Sequence, residues 1–520
     1  MEPIKGRVFA RARIFRETAQ NLKEWDVVLP DAKPDIASVL SANGSVFIDR
    51  AEPAGERVSY KGSVKLSLLY LARGAAKNVG CVEITEDIDD LINLDCDASG
   101  AEIEVRAEIE NIDCKIINDR KIGVRVILSV TGEGTRGDSR EIITGIDGAP
   151  ENQLQKTPLK LSKVVAAKKE NFTVKDELTL PGGKQGLAEL LTARFAVGNK
   201  EIKAQNGRVS ISGELVLTCL YLGAEDGRAE FFESEIPFSG QIEAEGASED
   251  MFVDGSLSVA ESYIQIRQDA DGEDRALGVE STVRVQITVS AREDIEILTD
   301  AYCINRRVRL ERSPVVYEKL ICRNRSQTPV KEIITIGGNC PEMLQILCAE
   351  GRAVVDEVKV LEDKVSAEGA IFCDLLYVAS SDEAPLYSYK CEVPFKHFIE
   401  TKGASYGCEV SLSASVEHCA FNMLSGKEVE LRFLLCFNTV VYRTVEDLCV
   451  TEAVFEEIDP QELNNMPSMV IYAAEEGDTL FKIAKEYNTS VDEILSVNEL
   501  EPSAEVNPGQ KFLLVKKVEC

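Results

Sequence analysis

Tryptophan occurs once in this 520-residue chain, at Trp25, and histidine twice, at His397 and His418. So few imidazoles leave little for a histidine-based catalytic or metal centre. No Cys-x-x-Cys or His-Glu-x-x-His spacing is present, and Cys408, His418 and Cys419 lack both a fourth ligand and the spacing of a zinc site. A Walker-type phosphate loop and a nucleophile elbow are also missing. Pro181-Gly182-Gly183-Lys184 and Ile336-Gly337-Gly338-Asn339 lack the following Ser/Thr context and are read as turns. No segment approaches the roughly 18 apolar residues of a membrane-spanning helix. Met1 to Arg16 carries charges where the apolar core of a secretory leader would lie. The expectation is a cytosolic chain without membrane insertion, and with no catalytic residues, cofactor or metal.

Positive charge is also in deficit. Against 89 Asp and Glu stand 58 Lys and Arg, a net charge of -31 that repels phosphate backbones and anionic lipid headgroups. Nucleic acid is therefore not expected as a partner, and the one basic stretch, Arg306 to Arg312, is interrupted by Glu311 and reads as a connector. The 15 cysteines are odd in number, and eight of them lie between Cys340 and Cys449, several alternating with apolar residues in strand-like runs. That pattern suits reduced, mostly buried thiols. Cys520, at the chain end, is the exception.

What the chain does contain is repetition. One strand-like phrase is written three times, from Val58 to Leu71, Val209 to Leu222 and Val365 to Val378. Its glycine (Gly62, Gly213, Gly369) and tyrosine (Tyr70, Tyr221, Tyr377) recur in step, 151 and then 156 residues apart. Extended openings sit upstream at the same offsets, at Trp25 to Pro30, Asp176 to Pro181 and Glu332 to Gly337. Three short apolar segments follow them, Asp35 to Leu40, Gly186 to Leu191 and Pro341 to Leu347, whose spacing predicts one or two helical turns. Runs such as Ile103 to Ile109, Val124 to Val130 and Val283 to Val289 then alternate apolar with polar residues, the pattern of half-buried antiparallel strands. Pro237-Phe238 and Pro394-Phe395 read as edge-strand elements, where a proline removes no ladder bond. Carboxylates alternating with apolar residues form the wet face of strands rather than a glycosidase pair.

The fold class that follows is mainly β: three tandem β-sandwich-like modules at 1–157, 158–315 and 316–455. Residues 131–158 and 312–329, rich in turn formers, are the expected junctions, and an acidic segment at 456–468 with two prolines reads as a loose tether. The last unit, 469–520, has a different grammar. A short strand at Val470 to Tyr472 leads to a turn and helix cap at Gly477-Asp478-Thr479, then an amphipathic helix through Leu480, Ile483, Ala484 and Tyr487. A second helix starts at Ser490 with a capping-box spacing to Glu493, and Pro508-Gly509 turns into a closing strand. The result is a small α+β unit of βααβ order.

On Tyr472, Gly477 to Leu480, Ile483-Ala484, Tyr487, Val491 to Ile494, Asn498, Leu500 and Pro508 to Lys511, this tail resembles the LysM family. That resemblance implies a shallow groove for N-acetylglucosamine-containing glycan between two loops. Here they hold Glu476, Gly477, Asp478, Thr479 and Leu480, and Asn498, Leu500, Glu501, Pro502 and Ser503. The tail carries 10 acidic and 5 basic residues, with Glu475, Glu476 and Glu501 beside the groove, and no indole to stack on a sugar. The three Gly-to-Tyr phrases, the openings, the Pro-Phe elements and the final unit together resemble SPOCS-type spore-associated modules followed by LysM. This implies a non-enzymatic morphogenetic scaffold of the mother-cell cytoplasm, at the forespore surface, that supports coat and cortex assembly. Its implied partner is a SpoIVA-like coat morphogenetic ATPase, bound through the LysM unit. The alternative is a peptidoglycan-binding protein of the spore wall or cortex.

Overall fold

The computed structural model describes residues 2–73, 79–147, 152–304, 306–381, 385–458 and 467–515. Cys520 and most of the expected tether lie outside them. The first module comprises β1 (Glu2–Val28), β2 (Ile36–Pro53), β3 (Arg57–Ala72), β4 (Val79–Asn93), β5 (Glu102–Asn118) and β6 (Lys121–Asp147). The second repeats this order as β7 (Asn152–Thr179), β8 (Leu187–Gln205), β9 (Arg208–Gly223), β10 (Ala229–Glu243), β11 (Phe252–Arg267) and β12 (Ala276–Cys303). The third follows with β13 (Arg306–Thr335), β14 (Met343–Leu361), β15 (Lys364–Ala379), β16 (Leu386–Glu400), β17 (Glu409–Met423) and β18 (Glu428–Glu457).

Each module is a sandwich of two antiparallel three-stranded sheets, ordered β2-β3-β4 and β1-β6-β5 in the first copy. Period-two alternation supplies the core. Val64, Leu66, Leu68 and Tyr70 of β3 face Val124, Val126, Leu128 and Val130 of β6, all essentially buried. The repeated phrase is the central strand of the smaller sheet, and Pro237 and Pro394 lie on its edge strands β10 and β16, as the missing N–H requires.

The expected helical turns are strands. Ile36, Leu187 and Met343 begin or lie at the start of β2, β8 and β14, and each strand is interrupted by closely spaced bulges. The register shifts at Ile36/Ser38 and Val39/Ser41, at Leu187/Glu189 and Leu190/Thr192, and at Met343/Gln345 and Ile346/Cys348. A bulge every third residue resets which face a side chain takes. Apolar residues then recur at three- and four-residue intervals, the period of a helix, on a fully extended chain. The turn-rich stretches at 131–158 and 312–329 likewise contribute to long strands. β6 continues to Asp147, and β7 and β13 begin at Asn152 and Arg306, running through positions 158 and 316. Pro158, Pro314 and Pro329 fit there because β7 and β13 are edge strands. The basic stretch at the start of β13 pairs with the acidic end of β18, Arg306 opposite Glu457 and Arg307 opposite Glu456.

Equivalent residues of the three modules meet. Leu40, Leu191 and Leu347, with Leu69, Leu220 and Leu376, share one buried cluster; Val8, Leu159 and Val315, with Ile142, Ile297 and Cys449, share another. Matching residues from three copies share a cluster only near a common axis, so the modules are arranged with approximate three-fold symmetry. Module three closes on module one. Arg13 is paired with Glu318 at 3.1 Å and Glu409 at 3.2 Å, and Arg352 donates to the Ile109 and Glu110 carbonyls. Just off the leucine cluster a cavity of about 30 Å³ is lined by the equivalent trio Ser41, Thr192 and Cys348 and by the Arg194–Glu350 ion pair. Small-molecule sites occupy several hundred Å³.

Candidate binding groove of the C-terminal unit

The tail folds as β19 (Met469–Ala473), α1 (Leu480–Glu486), α2 (Val491–Val497) and β20 (Lys511–Val515), with β19 and β20 antiparallel. Both helices start as the sequence requires. The Thr479 hydroxyl accepts from the Lys482 N–H at 3.2 Å, and Ser490 accepts from Glu493 at 3.2 Å. Ile483, Ala484, Ile494, Phe512 and Leu514 form the buried centre, with Leu480 and Leu500 packed against it from the two candidate loops. Those two contacts set both loops on the same small core.

The loops divide into residues turned inward and residues left outward. Asp478 accepts from the Tyr472 hydroxyl at 2.7 Å and the Glu475 N–H at 2.8 Å. The Tyr472 hydrogen bond, and then that from the backbone, hold the Asp478 carboxyl below its usual range, while the same carboxylate pushes the Tyr472 phenol up to about 12. Asn498 caps α2 and ties it to β20: its amide donates to the Ile494 carbonyl at 2.8 Å and the Leu513 carbonyl at 2.9 Å, and its oxygen accepts from the Leu513 N–H at 2.7 Å. Gly477 has φ of +87°, a left-handed position that favours glycine. Thr479 is spent on the helix cap. Of the ten groove residues, Glu476, Glu501, Pro502 and Ser503 are left exposed with no structural task among these bonds, and Glu475 adds a further exposed carboxylate. The nearby cation is tied down, since Lys482 Nζ donates to the Gly477 carbonyl at 2.9 Å. The groove therefore presents carboxylates and small polar groups.

A loose tether at 456–468 implies some freedom for the unit. In the structure it is seated on the end of β12: Tyr302 and Ile304 belong to the same buried cluster as its own core. The contact uses Phe481, Lys485, Asn488 and Thr489, at the corner between the helices. None of these is among the ten candidate groove residues. A second feature missed from sequence is a cation at the threshold of the last strand of each module. Arg120 donates to the Leu29, Pro30 and Lys33 carbonyls, Arg275 to those of Pro181 and Lys184, and Lys427 to that of Cys340. Its only sequence signal is a basic residue recurring 155 and then 152 positions on, without a motif around it.

The histidines stay apart. His397 stacks on Phe437 and meets the Ser326 hydroxyl at 3.1 Å, and His418 is exposed on β17. Among the described residues no three metal-ligating side chains gather, and no helix is long and apolar enough to cross a membrane.

The geometry defines a three-fold array of β-sandwiches carrying one docked βααβ module. A family model described as SipL, SPOCS domain matches residues 35–117, 188–267 and 342–424, and the LysM domain model matches residues 472–514. The chain thus has the SipL-like architecture of three SPOCS domains and a C-terminal LysM domain. Each SPOCS match spans the middle four strands of a module, β2 to β5 in the first, and leaves out the two long strands that complete it. No curated protein and no solved structure matches the chain. These domains fit a sporulation protein with a LysM module, a peptidoglycan-binding type of domain.

Proposed function

We propose that the chain is a non-enzymatic scaffold of spore morphogenesis that acts in the mother-cell cytoplasm at the forespore surface. Its LysM domain binds a SpoIVA-like coat morphogenetic ATPase, and its repeat body offers further, non-equivalent faces for coat and cortex assembly. The observation that carries this reading is the state of the groove. Asp478, Thr479 and Asn498, the side chains best suited to sugar hydroxyls, are engaged inside the domain, and the groove edge is lined by Glu475, Glu476 and Glu501. An acidic, open edge suits a protein surface carrying Lys or Arg.

Co-purification tests it. The full chain should retain the ATPase, and the chain without residues 469–520 should lose it; retention by the truncated chain would sink the reading. The second reading, glycan binding, is favoured by the LysM match. It calls for capture by purified sacculi that is lost on changing Glu501 and Ser503 together. Thr479 and Asn498 are poor probes of either reading, because changing them removes a helix cap or the α2–β20 tie.

A further inference from the structure

The contacts seen for the LysM domain among the described residues are with the second module, although the chain attaches it to the third. β18 of the third module leads into it, yet it packs on the last residues of β12 in the second. Three residues at alternate positions make the contact. Asp300 receives Lys485 Nζ on both carboxylate oxygens at 2.7 Å and also Arg312 of β13 at 3.3 Å. Tyr302, 6% exposed, donates its hydroxyl to the Thr489 carbonyl at 2.8 Å, and its ring meets Phe481 edge-on with centroids 5.1 Å apart. Ile304 is buried with Ile483 and Ala484, and its carbonyl accepts from Asn488 at 2.5 Å.

On the LysM side, the helix corner is shaped for this partner. Asn488 holds a left-handed φ of 54°, and it and Thr489 are buried at 8% and 0% exposure. Burying polar side chains at a domain corner is unfavourable unless their hydrogen bonds are met. Here the body meets the Asn488 side-chain amide and the Thr489 backbone carbonyl, while the Thr489 hydroxyl donates to the Val515 carbonyl at 3.0 Å within the domain. The body side is equally particular. Measured from the buried pairs Ile142-Ile143, Ile297-Leu298 and Cys449-Val450, the positions of Asp300, Tyr302 and Ile304 are held by Gly145, Asp147 and Ala149 in the first module. In the third they are Glu452, Val454 and Glu456. Only the second copy offers acid, phenol and aliphatic side chain in that order.

We propose that the Asp300-Tyr302-Ile304 end of the second module is a specific receptor for the Phe481-Lys485-Asn488-Thr489 corner of this chain's own LysM domain. The receptor recognises the corner without help from the connecting chain. It fixes the domain as a fourth body of the assembly and leaves the ten candidate groove residues outside the contact. Because the receptor exists once in three near-copies, it also sets which flank of the ring carries the groove.

The test uses the full chain with a specific-protease site placed between Glu457 and Pro467. After cleavage, the LysM fragment should co-elute with the repeat body on size exclusion at micromolar concentration. Lys485→Glu and Asn488→Ala, both on the fragment, should each weaken retention by about tenfold or more. Tyr302→Ala, on the body, should abolish it, and Asp300→Lys combined with Lys485→Glu should recover part of the loss. Release of the unaltered fragment at micromolar concentration overturns the proposal. Co-elution indifferent to all of these changes overturns it too, since the fragment would then be held elsewhere. A fragment variant that no longer folds is recognised by loss of amide protection at Ile494 and Asn498, whose N–H groups bond to Ser490 and Ile494 within the fragment.

Discussion

Tyr70, Tyr221 and Tyr377 are wholly buried, and each hydroxyl reaches back to a backbone carbonyl 36 residues earlier: Pro34 at 3.2 Å, Gln185 at 3.3 Å and Pro341 at 3.0 Å. The tyrosine thus ties the end of the central strand to the turn that opens the smaller sheet. Its companion glycine answers a different need. Gly62 and Gly369 lie opposite the third bulge of β2 and β14, where a Cβ would stand 2.0 Å from the Phe47 and Val354 carbonyl oxygens. At Gly213 the nearest atoms are the Phe238 ring at 3.0 Å and the Gly198 carbonyl at 3.2 Å, so the approach is looser. Phe238 and Phe395, from the Pro-Phe elements, sit directly across from Gly213 and Gly369 and cover the missing side chains. Alanine at Gly62 or Gly369 should therefore cost about 3 kcal/mol, the upper range for overpacking, and alanine at Gly213 distinctly less. Denaturant midpoints of the three variants check that order. The repetition of glycine and tyrosine was legible from sequence; that one residue serves a bulge and the other a turn was not.

Among the elements, strands and helices differ in how openly the sequence declares them. β3, β6, β9 and β12 alternate cleanly and read as strands. β2, β8 and β14 do not, because bulges change the period of the burial pattern without changing the extended backbone. The LysM helices are clear at their caps, Thr479 and Ser490, although both are only seven residues long. The turn that leads into the α1 cap is held by the Asp478 carboxylate, through the Tyr472 hydroxyl and the Glu475 N–H. Its folded value lies below the unfolded one, so its contribution is fully present above the unfolded value and is lost as pH falls through the folded value. Lowering pH from about 5 towards 2 should open the Glu475-to-Thr479 turn before the repeat body responds. Hydrogen exchange at the Glu475 amide reads this, and Asp478→Asn should flatten the dependence. An unchanged slope in that variant would assign the acid sensitivity to another group.

At the scale of the whole molecule, the three modules share apolar clusters along the axis as well as keeping cores of their own. Leu220 lies in the shared leucine cluster, whereas Leu217, three residues earlier, lies in the core of the second module. Leu220→Ala should cost about 3 kcal/mol and lower amide protection around Leu69 and Leu376 as well as locally. Leu217→Ala, of similar cost, should act mainly within the second module. Equal spread of both effects across the modules would mean that the ring unfolds as one cooperative unit whatever the site. The same scale decides where the LysM domain sits, since its contacts among the described residues are with the second module.

The sequence by itself determined the module count, the β class and the βααβ tail, because each follows from local periodicity, capping residues and recurrence. The LysM resemblance also points to Asp478, Thr479 and Asn498 as groove residues, but not to their side chains being already bonded within the domain. The closure of three sandwiches around an axis, the bulged backbone behind a helix-like pattern, and the receptor at Asp300, Tyr302 and Ile304 were decided by the tertiary structure. Each joins residues more than a hundred positions apart or depends on strand register, and neither leaves a local period to read. The thrice-written strand remains the plan of the body, and its exceptions mark where the body meets its tail.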